Sequence, residues 1–205
     1  MTRIAVIDHG AGNLVSIAQG LQRTGAEVVV AETPADLAGA DGVVLPGVGS
    51  TGAAMRRLEE TGFVSPLREL DRPLLGICVG LQLFFESSDE DGTACLGLMG
   101  GRVEQLLDTP KLPHIGWNDL DFVRPDPLFA GIRAGTPFYF VHSYAVYPAD
   151  EAVAVAMASY GKPFVAAARD GLRVGVQFHP ERSGPDGMRV LANFVNGCRE
   201  AADAA

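Results

Sequence analysis

Pro73-Leu74-Leu75-Gly76-Ile77-Cys78-Val79-Gly80-Leu81-Gln82-Leu83-Phe84-Phe85 decides how the chain reads. Pro73 to Ile77 is a short, nearly unbroken apolar run, as expected of a strand buried on both faces. Val79 to Phe85 then has the character of an apolar helix. Between them stands Gly76-Ile77-Cys78-Val79-Gly80, the form of a nucleophile elbow with cysteine in place of serine. The glycines suit a strained strand-to-helix turn, because side chains there would crowd the nucleophile. Such a turn exposes the sulfur at the carboxyl edge of the sheet, and the positive end of the following helix favours thiolate.

Working outward, Ile4–Ile7, Val28–Ala31 and Val43–Leu45 are further short apolar runs. Leu14 to Thr24 carries apolar residues at 14, 17, 18 and 21 and stops at Gly25, which is helical spacing. Strand, helix, strand opens an α/β fold. From Val103 to Val123 the pattern becomes short extended pieces broken by Pro110, Pro113 and Gly116. Phe138–Val141 and Val153–Ala158 read as strands with a turn near Pro148–Asp150. Phe164–Ala168 and Val174–Phe178 read as an antiparallel hairpin around Asp170-Gly171. Met188 to Val195 has helical spacing, and Ala201–Ala205 reads as a frayed end. The expected fold is a three-layer α/β domain over residues 1–205. Its central sheet is mixed and largely parallel, with helices on both faces.

Composition narrows the function. The 205 residues are 47% hydrophobic and 20% charged, which excludes wholesale disorder. A formal charge of -9 is opposite to that of a basic nucleic-acid binder, although local patches can oppose the net sign. Cys78, Cys95 and Cys198 form neither a disulfide framework nor a zinc pattern, and the latter two read as small buried hydrophobes. The N-terminal apolar run is too short for a signal peptide, and nothing approaches a membrane span. A reducing cytoplasm is the expected compartment.

A cysteine nucleophile needs a base that also protonates a leaving amine. Among His9, His114, His142 and His179, only His179 ends an apolar strand with an acid two residues away, in His179-Pro180-Glu181. In an extended chain those residues share a face, and Pro180 holds His179 extended, so Glu181 can fix its tautomer. A histidine near a glutamate is nevertheless common in any chain. Leu45-Pro46-Gly47-Val48-Gly49-Ser50 reads as an oxyanion loop, a phosphate loop or a plain strand-end turn. The P-loop and dinucleotide patterns are absent. His114 reads as a structural histidine and Trp117 as a pocket or partner residue. Asp8 and Asn13 read as caps of the first helix or as residues of a subunit boundary.

With these blocks together, the chain resembles the class I, triad-type glutamine amidotransferases. The resemblance rests on Gly76-Ile77-Cys78-Val79-Gly80-Leu81-Gln82 and Phe178-His179-Pro180-Glu181. More narrowly it is similar to the glutaminase subunits of imidazole glycerol phosphate synthase, in histidine biosynthesis. That narrower likeness rests on Asp8 with Gly12-Asn13-Leu14, on Pro46-Gly47-Val48-Gly49 and on Pro113-His114-Ile115-Gly116-Trp117-Asn118. Tyr139-Phe140-Val141-His142-Ser143-Tyr144, Arg182-Ser183 and Asn193-Phe194 complete it.

The resemblance implies Cys78 as nucleophile, His179 as base and acid, and Glu181 as its orienter. It implies oxyanion donors in the backbone of Gly47, Val48, Gly49 and Val79. Glutamine would be held by Gly49, Gln82 and the backbone of His142, Ser143 and Tyr144. It implies no cofactor and no metal, L-glutamine as substrate and, as partner in a heterodimer, a (β/α)8-barrel cyclase subunit. Two departures stand out: the family usually has tyrosine or threonine at the place of His9, and Leu-Gly-Met at Val79-Gly80-Leu81. Competing readings are the glutaminase of the anthranilate or pyridoxal phosphate pathway, another thiol hydrolase of similar shape, and a catalytically silent regulatory subunit.

Overall fold

The computed structural model describes residues 1–10 and 13–204; Gly12, one of the resemblance-bearing positions, lies outside them. The first half runs β1 (Arg3–Ile7), α1 (Leu14–Arg23), β2 (Glu27–Ala31), β3 (Gly42–Leu45), α2 (Thr51–Glu60), α3 (Val64–Arg68), β4 (Leu74–Ile77) and α4 (Val79–Gln82). Short strands β5 (Ser87–Ser88) and β6 (Thr93–Ala94) follow, then β7 (Gly101–Gln105), β8 (His114–Asp119) and β9 (Asp121–Phe122). The remainder is β10 (Pro137–His142), β11 (Tyr144–Pro148), β12 (Ala154–Tyr160), β13 (Lys162–Asp170), β14 (Arg173–Val176) and the long helix α5 (Gly184–Asp203).

The main sheet has the order β2-β1-β3-β4-β14-β13-β11-β7-β5-β6, with β12 and β9 branching from β13. It is parallel from β2 through β14 and antiparallel from β14 through β13 and β11 to β7. The parallel strands β1, β3 and β4 are buried along almost their whole length, which is why their sequences are continuous apolar runs rather than alternations. Helices lie on both faces. On one of them, α1 and α5 approach so closely that a Cβ on Gly20 would stand 2.8 Å from Leu191. Cys198 of α5 packs on Gly42 of β3, as a buried small hydrophobe does.

Several expectations need correction. The helix after Cys78 is one turn, Val79–Gln82, not Val79–Phe85. The carbonyls of Leu83, Phe84 and Phe85 are taken by the N–H groups of Leu96, Leu98, Met99 and Gly97, so they cannot serve a continuing helix. Gly116 does not break the chain: it lies inside β8, opposite Phe140 of β10. The C-terminal helix extends through Asp203 rather than fraying from Ala201. Helices α2 and α3 and strand β11 carry no pattern read from the sequence. Ser50 starts α2 by accepting the N–H of Ala53. Asn13 stands at the N-cap of α1 without a side-chain cap bond, and Asp8 instead accepts the N–H of Gly10.

Strands β8 and β10 form a separate antiparallel ribbon beside the site. Its alternation puts His114, Phe138, Phe140 and His142 inside. Ile115 and Trp117 remain 59% and 57% exposed, too much for core residues.

Candidate active site at the Cys78 elbow

Cys78 sits at the carboxyl end of β4 with φ 55° and ψ -110°, backbone space that a residue with a Cβ rarely enters. Its N–H donates to Val176 of the neighbouring strand at 2.8 Å, and its carbonyl accepts from Leu81 and Gln82. Backbones approach very closely around it. A Cβ on Gly76 would stand 2.7 Å from Gly80, and one on Gly80 would collide with the Leu45 carbonyl. The glycines are therefore demanded by contact, as the elbow reading requires. The one-turn α4 contributes less dipole than the expected seven-residue helix, since that field sums over aligned peptides. With Leu81 and Gln82 bonded to the Cys78 carbonyl, the N–H groups of Val79 and Gly80 are the ones with no partner within so short a helix.

Cys78 and His179 line one cavity of about 130 Å³, with Val48, Gly49, Val79, Gln82 and the segment 141–144 around it. His179 Nδ1 is 2.9 Å from Glu181 Oε1, and both side chains are almost wholly buried. The expected shared face of an extended chain is not how this pair meets. His179 itself is extended at φ -103° and ψ 96°, but Pro180–Arg182 form a 3-10 turn that carries the carboxylate back to the ring. Ser183 secures that turn, donating to the His179 carbonyl and accepting the N–H of Tyr139. Burial by itself would lower the His179 pKa. Hydrogen bonding and charge from Cys78 and Glu181 outweigh it and raise the ring to about 10. The other ring nitrogen, Nε2, makes no well-aligned hydrogen bond, so Cys78 acts on the ring by proximity and charge.

The loop after β3 is anchored by an unexpected residue. His9 is buried, and its Nε2 donates to the Pro46 carbonyl at 2.6 Å. Burial lowers its pKa, so the neutral ring serves as a fixed clamp beside Gly47. A Cβ on Gly47 would lie 2.7 Å from Val79, while Gly49 has φ 88° with open space around it. Gly47 is thus required for proximity and Gly49 for conformation.

Gln82 lines the cavity, but both its N–H groups are spent, on the Tyr144 carbonyl at 2.9 Å and Gln177 Oε1 at 3.1 Å. The Ser143 carbonyl accepts from Leu106. His142 donates from Nδ1 to the Tyr144 carbonyl, and Nε2 then accepts from His114 Nδ1 at 3.1 Å. His114 stacks between Phe140 and Tyr160, the structural role expected of it. Burial lowers these two rings to about 4 and about 3, so both are neutral near pH 7.

Two residues at the site escaped the sequence reading. Gln177 donates from Nε2 to Cys78 Sγ at 3.5 Å. Its place two residues before His179 was the one available signal. Glu90 lines the cavity and accepts the Thr51 N–H at 3.0 Å, brought there by a loop between β5 and β6 that no local pattern points to. Among the described residues no group of three or more His, Cys, Asp or Glu side chains is arranged to hold a metal ion. No helix among them is long and apolar enough to cross a membrane.

Residues 5–198 match the family described as glutamine amidotransferase class-I. The chain belongs to the class I glutamine amidotransferases. Within this family it is 46% identical to the imidazole glycerol phosphate synthase subunit HisH of Moorella thermoacetica, over 100% of this chain and 99% of that one. To the subunit of the same name from Xylella fastidiosa it is 48% identical, over 95% and 98%. Among solved structures, a putative GMP synthase subunit from Thermoplasma acidophilum superposes with TM-score 0.75 at 19% identity, covering 100% of this chain and 97% of that one. PurLQS from Thermotoga maritima superposes with TM-score 0.73 at 18% identity, covering 95% and 98%. At those identities the two structures speak for the amidotransferase fold alone, and they agree with the three-layer architecture expected from the sequence.

Proposed function

We propose that this amidotransferase is the glutaminase subunit of imidazole glycerol phosphate synthase, hydrolysing L-glutamine to L-glutamate and ammonia. The observation that carries the reading is identity of 46–48% to HisH subunits along nearly the whole chain. Residues 1–205 are taken as one glutaminase domain.

In this reading, Cys78 gives its proton to His179, and the sulfur attacks the side-chain amide carbon of glutamine. The tetrahedral oxyanion is met by backbone N–H groups of the 47–49 loop and Val79. The carbon–nitrogen bond breaks as His179 passes its proton to the departing ammonia. A water, deprotonated by His179, then cleaves the γ-glutamyl thioester and frees glutamate. Glu181 holds the ring tautomer and opposes the imidazolium charge, in keeping with the raised His179 pKa. Glu90 at the cavity wall suits the α-ammonium group of the substrate. Gly49 and the 142–144 backbone complete the binding cleft.

Ammonia protonates in bulk water, so a glutaminase that feeds a synthesis needs a partner that receives it. The HisH relatives are themselves named as subunits, in keeping with a partner cyclase. The finer proposal is a (β/α)8 cyclase, docked on the exposed Ile115 and Trp117 beside the site. It would convert the phosphoribulosyl formimino carboxamide intermediate to imidazole glycerol phosphate and aminoimidazole carboxamide ribotide.

The test reconstitutes the chain with a candidate cyclase and compares glutamine with an ammonium salt as nitrogen source. Imidazole glycerol phosphate should form from either. Cys78→Ala should abolish the glutamine-dependent rate at unchanged melting temperature and leave the ammonium-dependent rate intact. Product from ammonium but not from glutamine would overturn the assignment.

A further inference from the structure

Gln177 is fully buried, and its backbone N–H is tied to the Ala166 carbonyl at 2.8 Å. Its carboxamide nitrogen stands 3.5 Å from the Cys78 sulfur and donates to it. Which end of that carboxamide faces the sulfur follows from its neighbours. The Tyr144 carbonyl can only accept, so Gln82 must present nitrogen to it. The second N–H of the same nitrogen points to Gln177, which must answer with oxygen. The nitrogen of Gln177 is thereby left facing Cys78. His142 adds a second donor to the Tyr144 carbonyl and holds that acceptor in place. Every member of the chain has one permitted orientation, which makes the network stiff as well as satisfied.

A buried glutamine is an expensive way to fill space, since each polar atom must find a partner. An apolar residue of similar length would pack there without that requirement. An N–H aimed at sulfur favours the negatively charged sulfur over the neutral thiol, because a hydrogen bond to the charged form is the stronger one. It also restrains the side-chain rotamer on a backbone already held in a strained conformation.

We infer that Gln177 is a positioning residue for Cys78: its N–H, aimed by Gln82 and the Tyr144 carbonyl, holds the sulfur in its attacking position and stabilises its charged form. This inference deepens the glutaminase reading and rests on Cys78 being the nucleophile.

Two variants test it. Gln177→Glu keeps the shape and the acceptor for Gln82 but turns the donor into a carboxylate. Gln177→Met keeps the length and has no donor. Alkylation of Cys78 by iodoacetamide, followed peptide by peptide in a mass spectrometer, reads the sulfur without requiring glutamine turnover. Cys95 and Cys198 are poor competitors, since burial raises them to about 11 and about 12. In both variants the pH of half-maximal alkylation should move up by about one unit. The kcat for glutamine should fall by about tenfold or more while KM changes by less than about threefold.

A wild-type alkylation profile with wild-type kcat in Gln177→Met would make Gln177 a mere spacer and overturn the proposal. If Gln177→Met does not fold, Gln177→Glu carries the test, and an unchanged profile there is equally fatal. Should the wild-type protein lack glutaminase activity, the functional reading fails, while the alkylation profiles still decide the contact.

Discussion

Glu181 lies wholly inside the protein, with one carboxylate oxygen on His179 and the other without a hydrogen-bond partner. A buried carboxylate so placed is costly unless its charge is answered, and the His179 ring beside it is the group that answers it. Glu181→Gln conserves the shape but removes the counter-charge. The pKa of His179 should then fall from about 10, because burial lowers it and one of the opposing contributions is gone. The kcat for glutamine is expected to drop about 10- to 100-fold, the worth of a hydrogen bond to a charged group. Steady-state kinetics with a pH profile check this, and a variant with wild-type kcat would remove Glu181 from the catalytic unit. This residue pair was legible because both members stand in one short block of sequence. The turn that joins them was not, since it depends on Ser183 bonding back to Tyr139.

At the scale of elements, the site is a set of backbone approaches. Gly80 and Gly49 look alike in sequence but are required for different reasons. Gly80→Ala would drive a methyl into the Leu45 carbonyl at the end of β3, so β3 and the elbow must separate. The expected cost is about 3 kcal/mol, and the melting temperature should fall by roughly 6–12 °C. Gly49→Ala has room but must hold φ 88°, at a cost of about 1–2 kcal/mol that weights the loop away from its present geometry. Its melting temperature should fall by roughly 2–8 °C at most, less than that of Gly80→Ala. Its glutaminase rate with cyclase and acceptor bound should be depressed more than its rate alone. Equal depression of both rates would make the loop a fixed part of the site rather than a responsive one. Loss of glutamine binding would make it a substrate clamp. The elbow itself was readable as glycine spacing. The one-turn length of α4 was not, because it is set by the segment 96–99 capturing the carbonyls of residues 83–85.

For the whole molecule, the buried histidines set opposing pH limits on stability. His114 and His142 have folded pKa values of about 4 and about 3, lowered first of all by burial. Between about pH 6.5 and pH 4 the unfolded chain binds protons that the folded one refuses, so their contribution to stability falls as pH falls through that window. His179 works the other way. Its folded pKa of about 10 makes a contribution that is complete below about pH 6.5 and is lost as pH rises through 10. Thermal melts across this range should therefore weaken on both sides of neutrality. His114→Gln should melt a few degrees lower than wild type at pH 7, having lost its stacking, yet lose less between pH 7 and pH 5. An acid slope equal to that of the wild type would show that the buried ring is not its source.

By itself the sequence determined the parallel half of the sheet, the Cys78 elbow and the His179–Glu181 block. Each is written in neighbouring residues as apolar runs, glycine spacing or a proline-held strand end, so local chemistry is enough to read them. Only the tertiary structure decided that Gln177 faces the sulfur, that His9 clamps Pro46, that Glu90 lines the cleft, and that Ile115 and Trp117 stay exposed beside it. These depend on residues tens of positions apart meeting across the sheet and its loops. A hydrogen bond or a close approach at that range leaves no period in the chain, because its geometry exists only once the strands have paired.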